Sequence, residues 1–196
     1  MSHASEAYLT RGEEELLLRI ARDALESWVR ERARVDVDRY PLTPTLQEKH
    51  GAFVTLRERG ELRGCIGYTQ NREPLAVAVR DNAINAASNA PRFEPVRVDE
   101  LGAITIEVSA LTPGETPETP FKRVRNLDEI LIGRDGLYIE RPPYRGGLLL
   151  PQVAVEQKWD VGQFLAAVCR KAGYSERAWE DPETRLYRFS AQVFSE

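Results

Sequence analysis

Only two cysteines and two histidines occur in the 196 residues, and this scarcity excludes several classes of chemistry. A secreted domain of this size that relied on disulfides would carry an even set of several cysteines, so Cys65 and Cys169 read as reduced thiols. No C-x-x-C occurs, and His3 and His50 stand far apart, so a zinc site would have to be collected from isolated residues. No metal and no cofactor is expected. The opening residues, Met-Ser-His-Ala-Ser-Glu-Ala, lack the basic start and apolar run of a signal peptide. The longest apolar stretch, around 148–155, is interrupted and far short of a membrane span. A cytoplasmic location, with no membrane partner, is the expectation.

Positive charge is also thinly spread. The densest basic runs, Arg30-Glu31-Arg32-Ala33-Arg34 and Lys122-Arg123-Val124-Arg125, are short, and the net charge is -4. Neutralising a phosphate backbone needs a basic stripe, so no nucleic-acid partner is expected. The phosphate-cradling motif G-x-x-x-x-G-K-[ST], a G-x-G-x-x-G after a strand, and the G-x-S-x-G nucleophile turn are all missing. Gly64-x-x-Gly67 matches the glycine pattern of an RNA-binding KH loop but lies in a strand of an acidic protein.

What is present is an ordinary globular composition, 42% hydrophobic and 30% charged, in a chain long enough to bury a core. Thr10 and Glu13 form a capping box, and Leu17, Ile20, Ala21, Ala24, Leu25 and Trp28 recur at helical spacing, which predicts a helix over 12–31. Residues 52–57 and 61–68 flank Glu58-Arg59-Gly60, which reads as a hairpin with a three-residue loop. An alanine-rich helix starts at Pro74 and runs to about Asn89. Ile104, Ile106, Val108 and Ala110 alternate with polar residues in a further strand.

Residues 112–120 hold three prolines and no apolar anchor, the composition of a linker. Beyond them, Ile130-Leu131-Ile132 and Leu137-Tyr138-Ile139 flank Asp135-Gly136 as a second hairpin. A wide turn over 141–147 leads to a short strand at 148–150. Asp160 caps a helix that Gly173 stops, and an alternating strand closes the chain. Hairpins with helices gathered between them indicate an α+β fold, not a doubly wound parallel sheet.

One segment stands out, Leu62-Arg63-Gly64-Cys65-Ile66-Gly67. On a regular strand Arg63, Cys65 and Gly67 share a face. A guanidinium two residues from the thiol lies roughly 6–7 Å away. Its attraction for a thiolate is under ~1 kcal/mol in water but exceeds ~2 kcal/mol at an effective dielectric near 20. Arg63 can therefore activate Cys65 only in a shielded site. Gly64 and Gly67 leave room for a ligand or another backbone to come close. His50 is the one base near the paired strand. The plainer alternative makes Cys65 a small buried hydrophobe and Arg63 a surface charge. Cys169, on the apolar stripe of its helix, reads as core.

Those residues carry a family resemblance. The hexapeptide, with Gly51-Ala52-Phe53-Val54-Thr55-Leu56, Pro91-Arg92-Phe93 and Glu107-Val108-Ser109, resembles the AMMECR-type domain family. Leu150-Pro151-Gln152-Val153, Trp159-Asp160, Phe164-Leu165 and Cys169-Arg170-Lys171-Ala172-Gly173 look like its bacterial branch, protein A of the AmmeMemoRadiSam system. The resemblance implies two lobes. The larger, about 10–119 plus 184–196, holds both termini and an antiparallel sheet flanked by helices. The smaller, about 120–183, has its own three-stranded antiparallel sheet. It also implies association with a Memo-like protein and a radical-SAM protein, and it supplies no reaction. Ala90 departs from the aspartate the family usually places before Pro91-Arg92-Phe93, a residue suited to starting a turn.

Two functions stand open. In one, the protein is a partner or substrate-handling component of that system, with a functional surface formed by Arg63, Gly64, Gly67 and Arg92. In the other it is a cysteine-dependent enzyme acting on a small anionic ligand in an inter-lobe cleft, with Cys65 as nucleophile and Arg63 as anion clamp.

Overall fold

In the computed structural model, residues 7–143 and 146–196 are described, and the fold is α+β. His3, Tyr144 and Arg145 lie outside the described residues, and the latter two fall within the wide turn expected over 141–147. The chain separates into two compact units. The first runs to Leu111 and takes in Gln192–Glu196; the second is Thr112–Ala191.

The first unit opens with α1 (Arg11–Glu31), started by the capping box. The Glu13 N–H donates to Thr10 Oγ1 at 3.3 Å, and the Glu13 carboxylate accepts from the Thr10 N–H at 2.8 Å. A short helix α2 (Pro44–Gln47) precedes strands β1 (Ala52–Glu58) and β2 (Glu61–Tyr68); helix α3 (Leu75–Ser88) and strand β3 (Ile104–Leu111) follow. The three strands are antiparallel in the order β2, β1, β3. Val54 and Leu56 of β1 and Ile106 and Val108 of β3 are fully buried with Leu17, Ile20 and Leu25 of α1 and the alanines of α3. Small side chains let α3 come close enough for Asn82 Nδ2 to donate to the Ala52 carbonyl at 3.0 Å.

The first hairpin is tighter than the glycine pattern predicts. Glu58 pairs with Glu61, so the loop is Arg59 and Gly60 alone, both at positive φ (51° and 89°), the geometry of a type I′ turn. A turn of that twist matches the flanking strands, which removes the need for a third loop residue.

In the second unit the part of β7 (Arg185–Ser195) up to Ala191 pairs with both β4 (Lys122–Arg123) and β5 (Asp135–Glu140), and β6 (Gly147–Leu149) adds to β5. Helices α4 (Pro151–Glu156) and α5 (Val161–Lys171) accompany this sheet. Phe164, Leu165, Val168 and Cys169 of α5 pack with Leu137, Ile139 and Leu186. Residues 130–132 do not form the expected strand. The Leu131 carbonyl accepts from the main-chain N–H groups of Arg134 and Asp135, and the buried Asp135 carboxylate accepts from the Leu131 N–H at 2.9 Å. This local turn uses the groups a strand would have paired, so Asp135-Gly136 opens β5 instead of turning a hairpin.

Asp160 caps α5 as expected, with Oδ1 accepting from the Gln163 N–H at 2.8 Å. Asp160→Ala should cost about 1 kcal/mol, a fall of roughly 2–4 °C in Tm by thermal circular dichroism. Among the described residues no helix is long and apolar enough to cross a membrane.

Candidate functional site

The hexapeptide 62–67 lies on β2, and a β-bulge decides which way its side chains face. Leu56 pairs with Gly64 but Arg57 pairs with Leu62, so Arg63 is an extra residue without a partner on β1. Strict alternation would put Arg63 and Cys65 on one face. The bulge separates them.

Cys65 faces away from the helices. Its register partner Thr55 lies between Val54 and Leu56, which point into the core beneath α1 and α3. Thr55 is in turn opposite Glu107 of β3. Cys65, Thr55 and Glu107 therefore form one row across three strands, with neighbouring Cβ atoms about 5 Å apart. Gly67, Phe53 and Ser109 form the next row. Thr55 and Ser109 are buried, while Cys65, Phe53 and Glu107 are half-buried. The Thr55 hydroxyl donates to Cys65 Sγ at 3.4 Å.

Arg63 turns to the helix side, where its charge is already engaged. Its Nε donates to Glu100 Oε1 at 2.7 Å, Nη2 to Glu100 Oε2 at 3.2 Å and Nη1 to the Glu94 carbonyl at 3.0 Å. Both partners of the ion pair are largely shielded. The Arg63 guanidinium holds the Glu100 carboxyl below the usual carboxylate range, with burial opposing and the Arg97 N–H assisting. An anion clamp needs free donors, and these are spent on Glu100 and Glu94. The Arg63 guanidinium also stands 5.9 Å from the Phe93 ring centroid, and exposed Arg92 stands 5.7 Å from the same ring. The Ala90 carbonyl accepts from the Phe93 N–H at 3.0 Å, placing Ala90 at the first position of a turn. Aspartate is among the residues favoured at that position of a turn.

The cysteine–histidine pairing is not assembled. His50 is buried, with Nε2 at 3.4 Å from Glu48 and its ring edge-on to Tyr8 at 5.0 Å. It precedes Thr55, the neighbour of Cys65, by five positions, roughly 16 Å of extended chain. The room beside the two glycines is filled from within. A Cβ on Gly64 would lie 2.3 Å from the Ala86 carbonyl of α3, and one on Gly67 would lie 2.4 Å from the Phe53 ring. Trp159 packs against the second unit's core. Cys169 is fully buried, and burial pushes its thiol up. Iodoacetamide should modify Cys65 at least about a hundredfold faster than Cys169 in the folded protein, which mass spectrometry of the two cysteine peptides measures.

Sequence reasoning passes over Thr55 and Glu107 as site residues, although both lie in segments that carry the resemblance. Strand alternation places each on a face, but only register places them beside Cys65. Among the described residues no group of three or more His, Cys, Asp or Glu side chains is arranged to hold a metal ion.

The model of the AMMECR1 family matches residues 18–194. The chain belongs to the AMMECR1 family. A protein of Thermococcus gammatolerans is 47% identical over 188 residues, 93% of this chain and 89% of its own. One of Methanothermobacter thermautotrophicus is 45% identical over 192 residues, 97% of each. The crystal structure of Uncharacterized Protein PH0010 from Pyrococcus horikoshii superposes with a TM-score of 0.88 at 37% identity, covering 97% of this chain and 94% of that one. These relatives are archaeal. The AMMECR1 match takes in the hexapeptide, both rows on the sheet and the Arg63–Glu100 pair.

Proposed function

We propose that this AMMECR1 protein is a partner or substrate-handling component acting with a Memo-like protein and a radical-SAM protein, as in the bacterial AmmeMemoRadiSam system, and that 62–67 is its functional surface. The observation that carries this reading is the separation of the groups a cysteine enzyme would need to bring together. Arg63 lies across the sheet from Cys65 and is paired with Glu100, and His50 is remote and occupied with Glu48 and Tyr8. A thiol without a base or a free cation is poorly equipped for nucleophilic catalysis. The alternative, Cys65 as nucleophile, has one contact in its favour, the Thr55 hydroxyl at 3.4 Å from Sγ.

The two readings part on Cys65→Ser. A docking component tolerates it, so the variant should co-purify with the Memo-like and radical-SAM proteins of the same organism as the parent does. Loss of the joint activity with the complex intact would instead establish the cysteine enzyme.

A further inference from the structure

The strand that carries the hexapeptide is also a free sheet edge. Among the described residues β2 pairs with β1 and with no other strand. Among the described residues, no main-chain hydrogen bond outside the sheet pairing reaches a backbone group of 61–68. An antiparallel strand directs the N–H and C=O of alternate residues away from its neighbour, so an edge presents a row of unpaired donors and acceptors.

Natural edges are commonly blunted by charge, proline or a bulge. β2 has such protection only at its beginning, where Glu61 is exposed and Arg63 is bulged. From Gly64 onward the residues are Gly, Cys, Ile, Gly and Tyr, with no charge and no proline, in unbroken register with Leu56 through Ala52. Among the described residues the other strands with a single neighbour are β4, of two residues, and β6, of three. Beside the bulged end, Arg92 is exposed, has no carboxylate partner among the described residues, and shares the Phe93 ring with Arg63. An unprotected edge with an unpaired cation at one end suits an extended segment that bears a carboxylate.

We infer that residues 64–68 of β2 accept an extended strand of the partner protein by strand addition, with an acidic residue of that strand meeting Arg92. Main-chain pairing supplies the attachment, and Arg92 sets the end at which the acid lies. This rests on the docking function proposed above and specifies its mode. It also gives the hexapeptide a role that does not use the thiol, since the backbone makes the contact.

Amide hydrogen exchange of the full chain, alone and with the Memo-like or the radical-SAM protein of the same organism, tests it. A bound partner should slow the outward amides of 64–68 at least about tenfold. Arg92→Glu should weaken binding about tenfold, and Lys171→Glu, a charge reversal at the exposed end of α5, should not. If a partner binds while these amides exchange as in the free protein, strand addition is overturned and the docking function stands. If neither protein binds, both fall. If the amides slow simply on raising the concentration of this chain, the occupant is a second copy and the inference is overturned.

Discussion

Gly64→Ala is expected to destabilise the protein by about 3 kcal/mol, lowering Tm by roughly 6–12 °C in a scanning calorimeter. The added Cβ would stand 2.3 Å from the Ala86 carbonyl oxygen and 3.2 Å from its carbon. Both are backbone atoms of α3, so no rotamer change relieves the overlap, and β2 has to move off the helix. The same substitution at Gly12 or Gly102 meets nothing within 4 Å and should stay within about 0.5 kcal/mol of the parent. A small loss at Gly64 would mean that β2 and α3 can separate cheaply.

Arg63→Met should cost about 2 kcal/mol, because it strands the Glu100 carboxylate in a shielded position and removes the contacts to the Glu94 carbonyl and the Phe93 ring. This effect has a pH signature. Glu100 is held below its ordinary value in the folded protein, chiefly by Arg63. A carboxyl depressed in this way contributes stability that is fully present above its unfolded value, near 4.3, and is lost as pH falls through the folded one. The gap between parent and variant should therefore be full at about pH 7 and shrink on acidification below about pH 4. Urea unfolding at several pH values measures it, and a gap independent of pH would assign the loss to packing alone. The double variant Arg63→Met/Glu100→Gln should recover part of the loss, because it leaves no orphaned charge.

Parts of this molecule were plain in the residue order. The capping box at Thr10, the cap at Asp160, the apolar stripe of α1, the alanine-rich α3 and the alternation in β3 follow from local rules that need no knowledge of distant residues. Ile130-Leu131-Ile132 misleads because an apolar run of this length occurs in strands and in turns alike; Leu131 and Ile132 are exposed, and the Asp135 carboxylate, bonded to the Leu131 N–H, decides between them. The hairpin loop was miscounted by one for a related reason. Glycine marks a positive φ, and nothing in the sequence marks that Arg59 adopts one as well.

The candidate site divides in the same way. Sequence alone determined that 62–67 lies on a strand and that no metal motif or nucleotide motif accompanies it, because these depend on residue type and short spacing. Tertiary structure decided what those residues face. One extra residue at the bulge turned Arg63 toward Glu100 and left Cys65 on the opposite face, and strand register put Thr55 and Glu107 in its row. Side-chain direction on a strand has a period of two, so a single-residue irregularity reverses every assignment beyond it. That irregularity arises from pairing with β1, a relation between strands that neither strand's own sequence contains.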